Sequence, residues 1–91
     1  MDTTYGFQLL AKNAHEIFAM ISEYCSDKMD AILVYQLVVM TVRSGETKEE
    51  VERNKFDPAV FVHPSESNLA YYEAMMLYFE AYAALKEEEK V

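Results

Sequence analysis

The sequence predicts an all-α fold: a small bundle of three long helices, a short charged helix and a proline-bounded crossover, packed as an oligomer. Apolar residues recur at three- and four-residue steps near both ends of the chain, which is the period of a helix face. Apolar residues, counted with Tyr and Cys, make up 52% of the chain, and only two Gly and two Pro interrupt it. A length of 91 residues accommodates one core, so residues 1–91 are predicted to form a single domain.

The first helix is predicted over residues 4–26. Residues 2–4 carry carboxylate and hydroxyl groups that can accept hydrogen bonds from the free N–H groups of the first turn. The apolar residues that follow fall on one face of a helix, namely Phe7, Leu10, Ala14, Ile17, Ile21 and Tyr24. This spacing predicts an amphipathic helix with its polar side toward solvent.

The second helix is predicted over residues 28–43. Asp27 and Asp30 have the spacing of an N-terminal cap, and Gly45 is a typical C-terminal stop. Residues 31–42 are rich in β-branched side chains and show no alternation, so a buried strand is the alternative. The length of the segment favours a helix. Because apolar residues surround nearly its whole circumference, we expect it to be central and covered on several sides.

A short charged helix is predicted over residues 47–54, where Thr47 and Glu50 have the spacing of a capping box. It has little to bury beyond Val51. Residues 56–64 follow and contain a proline near each end. Both a single helical turn and an extended crossover are compatible with this segment.

The last helix is predicted over residues 67–89 and carries two apolar faces. The first consists of Leu69, Tyr72, Met76, Phe79 and Ala83. The second, rich in Tyr and Met, consists of Tyr71, Met75, Tyr78, Tyr82 and Leu85. We expect the first face to pack against the chain's own core and the second to bind a partner, because Tyr and Met are enriched at interfaces. The alternative is that the crossover and the short helix cover the second face within the monomer.

An acidic stripe follows the same helix, since Glu66, Glu73, Glu80 and Glu87 recur every seven residues. At 3.6 residues per turn these side chains form one narrow row that drifts by about 20° per repeat. The formal net charge is −8. A charge of this sign repels nucleic-acid phosphates and anionic lipid surfaces, so we expect neither direct nucleic-acid binding nor membrane binding. Basic protein partners are favoured instead.

Residues capable of metal or nucleophilic chemistry are few. His15, Cys25 and His63 are the strong soft-metal candidates, and none occurs in a spacing that would bring two ligands together. We interpret them as a solvent-facing helix residue, a partly buried small hydrophobe and a turn residue, respectively. Gly6 and Gly45 are isolated, which does not favour a phosphate-binding loop. We therefore expect no enzyme activity, no cofactor and no metal site.

The expected location is cytoplasmic. Cys25 is the single cysteine, so no intrachain disulfide can form, which favours a reducing compartment. The first residues lack the pattern of a secretory signal. The longest apolar stretch, residues 31–42, is shorter than the ~20 residues of a membrane span.

These observations favour a small acidic protein that binds another protein and forms a homodimer or higher homo-oligomer. One hypothesis is a regulatory inhibitor of a host or partner protein, such as a phage-type antagonist or a nucleic-acid mimic that presents carboxylates in place of phosphates. A second is a structural or scaffold subunit of a homo-oligomeric assembly. A metal-binding protein or enzyme is the least favoured alternative.

Overall fold

A computed structural model describes residues 3–53 and 58–89, with side chains for residues 8–53 and 59–87. Its helices are α1 (Thr3–Lys12), α2 (Ala14–Tyr24), α3 (Lys28–Ser44), α4 (Lys48–Arg53) and α5 (Pro64–Glu89), with a 3₁₀ turn at Pro58–Val60. No strand occurs within these described ranges. The prediction of an all-α bundle is confirmed.

Helix α3 begins and ends at the caps that the sequence predicts. The Asp27 carboxylate accepts hydrogen bonds from the N–H groups of Met29 (2.9 Å) and Asp30 (3.2 Å). At the other end, Gly45 has a left-handed backbone with φ of 69°, where a Cβ atom would be unfavourable. Val34 and Val38, one turn apart, are fully buried. The alternative of a strand over this segment is therefore excluded.

The first predicted helix is divided in two. Asn13 separates α1 from α2, with φ of −104° and ψ of 8°. Its side-chain amide donates to the Leu9 carbonyl (2.9 Å), and its backbone N–H is shared between the carbonyls of Leu9 and Leu10. A side chain that competes for a helix carbonyl in this way disturbs the regular hydrogen-bond ladder. The prediction of one uninterrupted helix over residues 4–26 is wrong at this point and also at its end, because α2 stops at Tyr24.

Helix α4 is held by the predicted capping box. The Thr47 hydroxyl accepts from the Glu50 N–H (3.2 Å), and the Glu50 carboxylate accepts from the Thr47 N–H (3.3 Å). Val51 is fully buried and attaches this short helix to the core. Residue 54, which is predicted to belong to this helix, lies outside the described residues, as do residues 55–57.

The segment before α5 is tied to the start of α3. Pro58–Val60 forms a single 3₁₀ turn, which is one of the two conformations predicted for the crossover. The Asp30 carboxylate then accepts from the N–H groups of Val62 (2.9 Å) and His63 (2.8 Å). Helix α5 begins at Pro64, three residues before the predicted start, because proline suits the first turn, where its missing N–H is not needed.

Helix α5 is the longest element and packs most extensively against α2 and then against α3. At 1.5 Å per residue its 26 residues extend about 39 Å, which accounts for most of the 45 Å length of the molecule. The shortest dimension is 17 Å, about two layers of helices. In such a thin molecule, every long helix keeps one side toward solvent.

Candidate protein-binding surface

The Tyr- and Met-rich face of α5 lies in the core. Tyr71, Met75 and Tyr78 are only 3%, 1% and 1% exposed, respectively. Tyr82 and Leu85 are half-buried and pack against the same core. The prediction that these five residues form an exposed partner-binding face is therefore wrong for the first three, and the last two are largely shielded by the chain itself.

Small residues explain why this face turns inward. Ala70 and Ala74 are fully buried beside Tyr71 and Met75. Alanines between large side chains let a neighbouring helix approach closely while the large side chains fill the space around it. The deeply buried face of α5 therefore combines both kinds of residue.

The phenol groups on the buried face have neighbours within the chain. The hydroxyls of Tyr71 and Thr41 are hydrogen bonded at 2.8 Å. Burial raises the pKa of Tyr71, and the hydrogen bond with Thr41 opposes that effect only in part. The ring of Tyr78 lies 5.4 Å from that of Phe79 and 6.3 Å from that of Tyr82, centre to centre. These contacts are those of an internal aromatic cluster rather than a docking surface.

The other apolar face of α5 is less deeply buried. We call it the outer seam, and it consists of Leu69, Tyr72, Met76, Phe79 and Ala83. Leu69 is 48% exposed, and Ala83 is also exposed, whereas the three residues between them are half-buried. Met76 and Phe79 nevertheless pack against the core, so the expectation that this face packs against the chain's own core holds for part of it. The structure buries the Tyr- and Met-rich face more deeply than the outer seam, whereas the sequence analysis expected the reverse.

Three of the predicted glutamates border the outer seam. Glu73, Glu80 and Glu87 each follow a seam residue by four positions, so each lies one helical turn beyond it on nearly the same side. Glu80 and Glu87 are exposed, and Glu73 is half-buried. The acidic stripe is thus continuous with an apolar surface, which the sequence analysis assigned to the chain's own core rather than to a partner.

Glu66, the first member of the predicted stripe, has a different environment. Its carboxylate accepts from the Ser26 N–H (2.9 Å) and from the Ser26 hydroxyl (2.9 and 3.1 Å). The backbone N–H of Ser26 is the main reason that the pKa of Glu66 is lowered, followed by the Ser26 hydroxyl. Glu66 therefore joins the turn between α2 and α3 to the first turn of α5.

Helix α4 lies along the opposite edge of the outer seam. The Tyr72 hydroxyl donates to the Glu52 carbonyl (3.1 Å), and Tyr72 lies on the side of the seam away from Glu73. The side chains of Glu49 and Glu52 on α4 are exposed. Helix α4 also carries exposed Lys48 and Arg53, so this edge of the seam lies beside charges of both signs, whereas the other edge carries the glutamates of α5.

A buried polar junction joins α2, α3 and α5 on the other side of the molecule. Asp30 is 1% exposed, and burial raises the pKa of its carboxyl. The N–H groups of Val62 and His63, the Ser67 side chain and the charge of His63 outweigh burial and hold that pKa below its ordinary value. Sequence reasoning identified Asp30 only as part of a helix cap, because its other contacts come from residues more than thirty positions away.

The residues considered for metal or nucleophilic chemistry do not form a site in the described structure. His15 is exposed on α2 and His63 is exposed in the bend before α5, while Cys25 is buried at the polar junction. Burial raises the pKa of the Cys25 thiol, and the carboxylates of Asp30 and Glu66 add to that increase against the opposing effect of Ser67. Among the described residues, no group of three His, Cys, Asp or Glu side chains is arranged to hold a metal ion.

A shallow groove between α2 and α3 is the second surface feature. It encloses about 220 Å³ and is lined by Phe18, Ser22, Cys25, Ser26, Lys28 and Ala31. The ring of Phe18, 40% exposed, packs edge-on against Tyr35 at 5.5 Å between centres. This groove has one cationic side chain and two hydroxyls on its walls, and it lacks the continuous apolar row of the outer seam.

Comparisons with protein-family models, curated proteins and solved structures gave no match for this chain. Within the described residues, no helix combines the length and apolar character needed to cross a membrane.

Proposed function

We propose that this protein binds another protein through the outer seam of α5. The observation that carries the proposal is a row of apolar side chains, three and four residues apart on α5, that keeps part of its surface in solvent: Leu69 and Ala83 are exposed, and the three residues between them are half-buried. A solvated helix face is normally polar, whereas contiguous exposed apolar surface marks interaction sites. Alternating steps of three and four residues are also the pattern with which one helix packs along another.

The proposed action is regulatory and consists of covering a surface of the partner. A net charge of −8 favours basic targets, including proteins whose own ligands are phosphates. In the narrower form of the proposal, carboxylates of this chain take the place of those phosphates and the protein acts as an inhibitor. The single buried cysteine suits a reducing compartment, so we place this binding in the cytoplasm.

A quantitative pull-down with paired variants tests the proposal. Leu69→Ser removes an apolar side chain that is 48% exposed on the seam, whereas Met29→Ser removes one that is 61% exposed on α3. We expect the wild type and the α3 variant to capture the same amount of the same partner. The seam variant should capture at least about 90% less, which corresponds to a loss of roughly tenfold in affinity. Equal retention by both variants would refute the role of the seam.

A further inference from the structure

We infer that the occupant of the outer seam is an amphipathic helix of a basic partner protein, which lies along α5 with Lys or Arg opposite the glutamates. The inference rests on the proposed function and adds the class of partner. It follows from the apolar spacing on α5, from the positions of the carboxylates and from the consequences of pairing two copies of this chain.

The apolar spacing is that of a coiled-coil face. Leu69, Met76 and Ala83 are seven residues apart, with Tyr72 and Phe79 three residues after the first two. In the seven-letter notation for helix pairs these are alternating a and d positions, which form knobs that pack between the side chains of a second helix. Fifteen residues of α5, from 69 to 83, span about 21 Å and correspond to two repeats. The occupant is therefore a short helix segment.

The glutamates of α5 occupy heptad positions whose charges determine which helix can pair with it. Glu73, Glu80 and Glu87 all fall at e positions beside the seam, where charged side chains of two paired helices meet. The opposite edge of the seam lies beside α4, which exposes side chains of both charges. A partner that carries Lys or Arg along the border of its apolar row that faces these e positions therefore meets opposite charge there.

A second copy of α5 does not have this complementarity. Antiparallel pairing would set the e positions of the two copies against each other and bring glutamate against glutamate. Parallel pairing would set the e positions of one copy against the g positions of the other, two of which are Met75 and Tyr82. Met75 is buried in the core and Tyr82 is half-buried against it. Neither arrangement places a cation of α5 opposite these glutamates at an e or g position, so the charges on α5 favour a foreign helix over self-association.

The inference can be tested with the full-length protein and two synthetic helical peptides of about 21 residues, three repeats long. Both peptides have the same apolar a and d residues, and they carry either Lys or Glu at all e and g positions. Fluorescence anisotropy at low and moderate salt measures their affinities. We expect the Lys peptide to bind at least about tenfold more tightly than the Glu peptide, with a difference that shrinks as salt screens the charges.

Three variants complete the test. Met76→Ser should weaken binding of the Lys peptide about tenfold, and Glu73→Gln with Glu80→Gln should remove most of the preference for Lys. Met40→Ser, on the exposed side of α3, should change neither affinity. Binding of the Lys peptide that responds to the glutamate variant but not to Met76→Ser would be non-specific charge attraction and would overturn the inference.

The remaining outcomes separate this inference from the proposed function. Equal binding of both peptides, with loss on Met76→Ser, would keep the seam as a protein-binding surface and reject the basic class of partner. Absence of binding by either peptide would reject the helical partner, and the pull-down would then decide on the seam itself. Sedimentation of a dimer that Met76→Ser abolishes would identify a second copy as the occupant and overturn the inference.

Discussion

The two apolar faces of α5 have similar composition but differ in how deeply they are buried. The inner face alternates large side chains such as Tyr78 and Met75 with Ala70 and Ala74, and all four are buried. On the outer face, Leu69 and its neighbours on the seam stand beside glutamates and keep part of their surface exposed. Because both faces carry large hydrophobic residues, hydrophobicity alone does not separate them. The small residues mark the side on which helices approach, and the glutamates mark the side that stays in water.

The largest expected effect contrasts Tyr78 with Phe79, which are adjacent in sequence. Tyr78→Ala removes a fully buried ring from the core, so we expect the free energy of unfolding to fall by about 3 to 5 kcal/mol. Phe79→Ala removes a half-buried ring and should cost about half as much. Urea denaturation followed by circular dichroism measures both values. A larger loss from Phe79→Ala than from Tyr78→Ala would restore the face assignment made from the sequence.

A smaller effect is expected from enlarging alanines on the two faces. Ala74 is fully buried where α5 meets its neighbours, so Ala74→Leu should overpack the core and destabilise the fold by about 1 to 3 kcal/mol. Ala83 lies on the exposed outer seam, and Ala83→Leu should change stability by less than about 0.5 kcal/mol. Thermal and urea unfolding of the two variants, compared at one protein concentration, provide the measurement. Similar losses from both substitutions would show that the alanines do not mark the packing side.

The sequence predicted the features of the fold that depend on neighbouring residues. The cap at Asp27, the stop at Gly45 and the capping box at Thr47 are local, and the structure shows each of them. The break at Asn13 was missed because it depends on one side-chain hydrogen bond within an otherwise regular apolar pattern. The alanines of α5 indicate which face turns inward, whereas the depth to which each residue is buried depends on contacts with α2 and α3, which lie elsewhere in the sequence.

The acidic stripe shows the same limit. Its seven-residue spacing predicts one continuous row, and helix geometry alone treats the four glutamates alike. The structure separates Glu66 from the others because Ser26, forty positions earlier in the chain, donates two hydrogen bonds to it. The binding surface that we propose on α5 therefore consists of the remaining glutamates and the outer seam, whereas Glu66 contributes to the fold.

The smallest expected effect tests that separation through pH. The pKa values of Glu66 and Asp30 are lowered in the folded protein, so both carboxyls bind a proton more weakly when folded than when unfolded. The stability that they contribute is present above their unfolded pKa values and is lost as the pH falls through the folded values. We therefore expect the midpoint of thermal unfolding to fall on acidification below about pH 4.5, the region where free carboxyls begin to protonate.

Glu66→Gln should lower that midpoint by roughly 4 °C at neutral pH and should make the acid decrease shallower, with the remaining decrease due to Asp30. Glu80→Gln, at an exposed position of the same stripe, is the matched control and should leave both the midpoint and its pH dependence close to those of the wild type. Calorimetry across the acid range compares the three proteins. If both variants change the acid-induced decrease in the unfolding midpoint equally, the hydrogen bonds from Ser26 do not distinguish Glu66. The four glutamates then act as the single row that their spacing suggests.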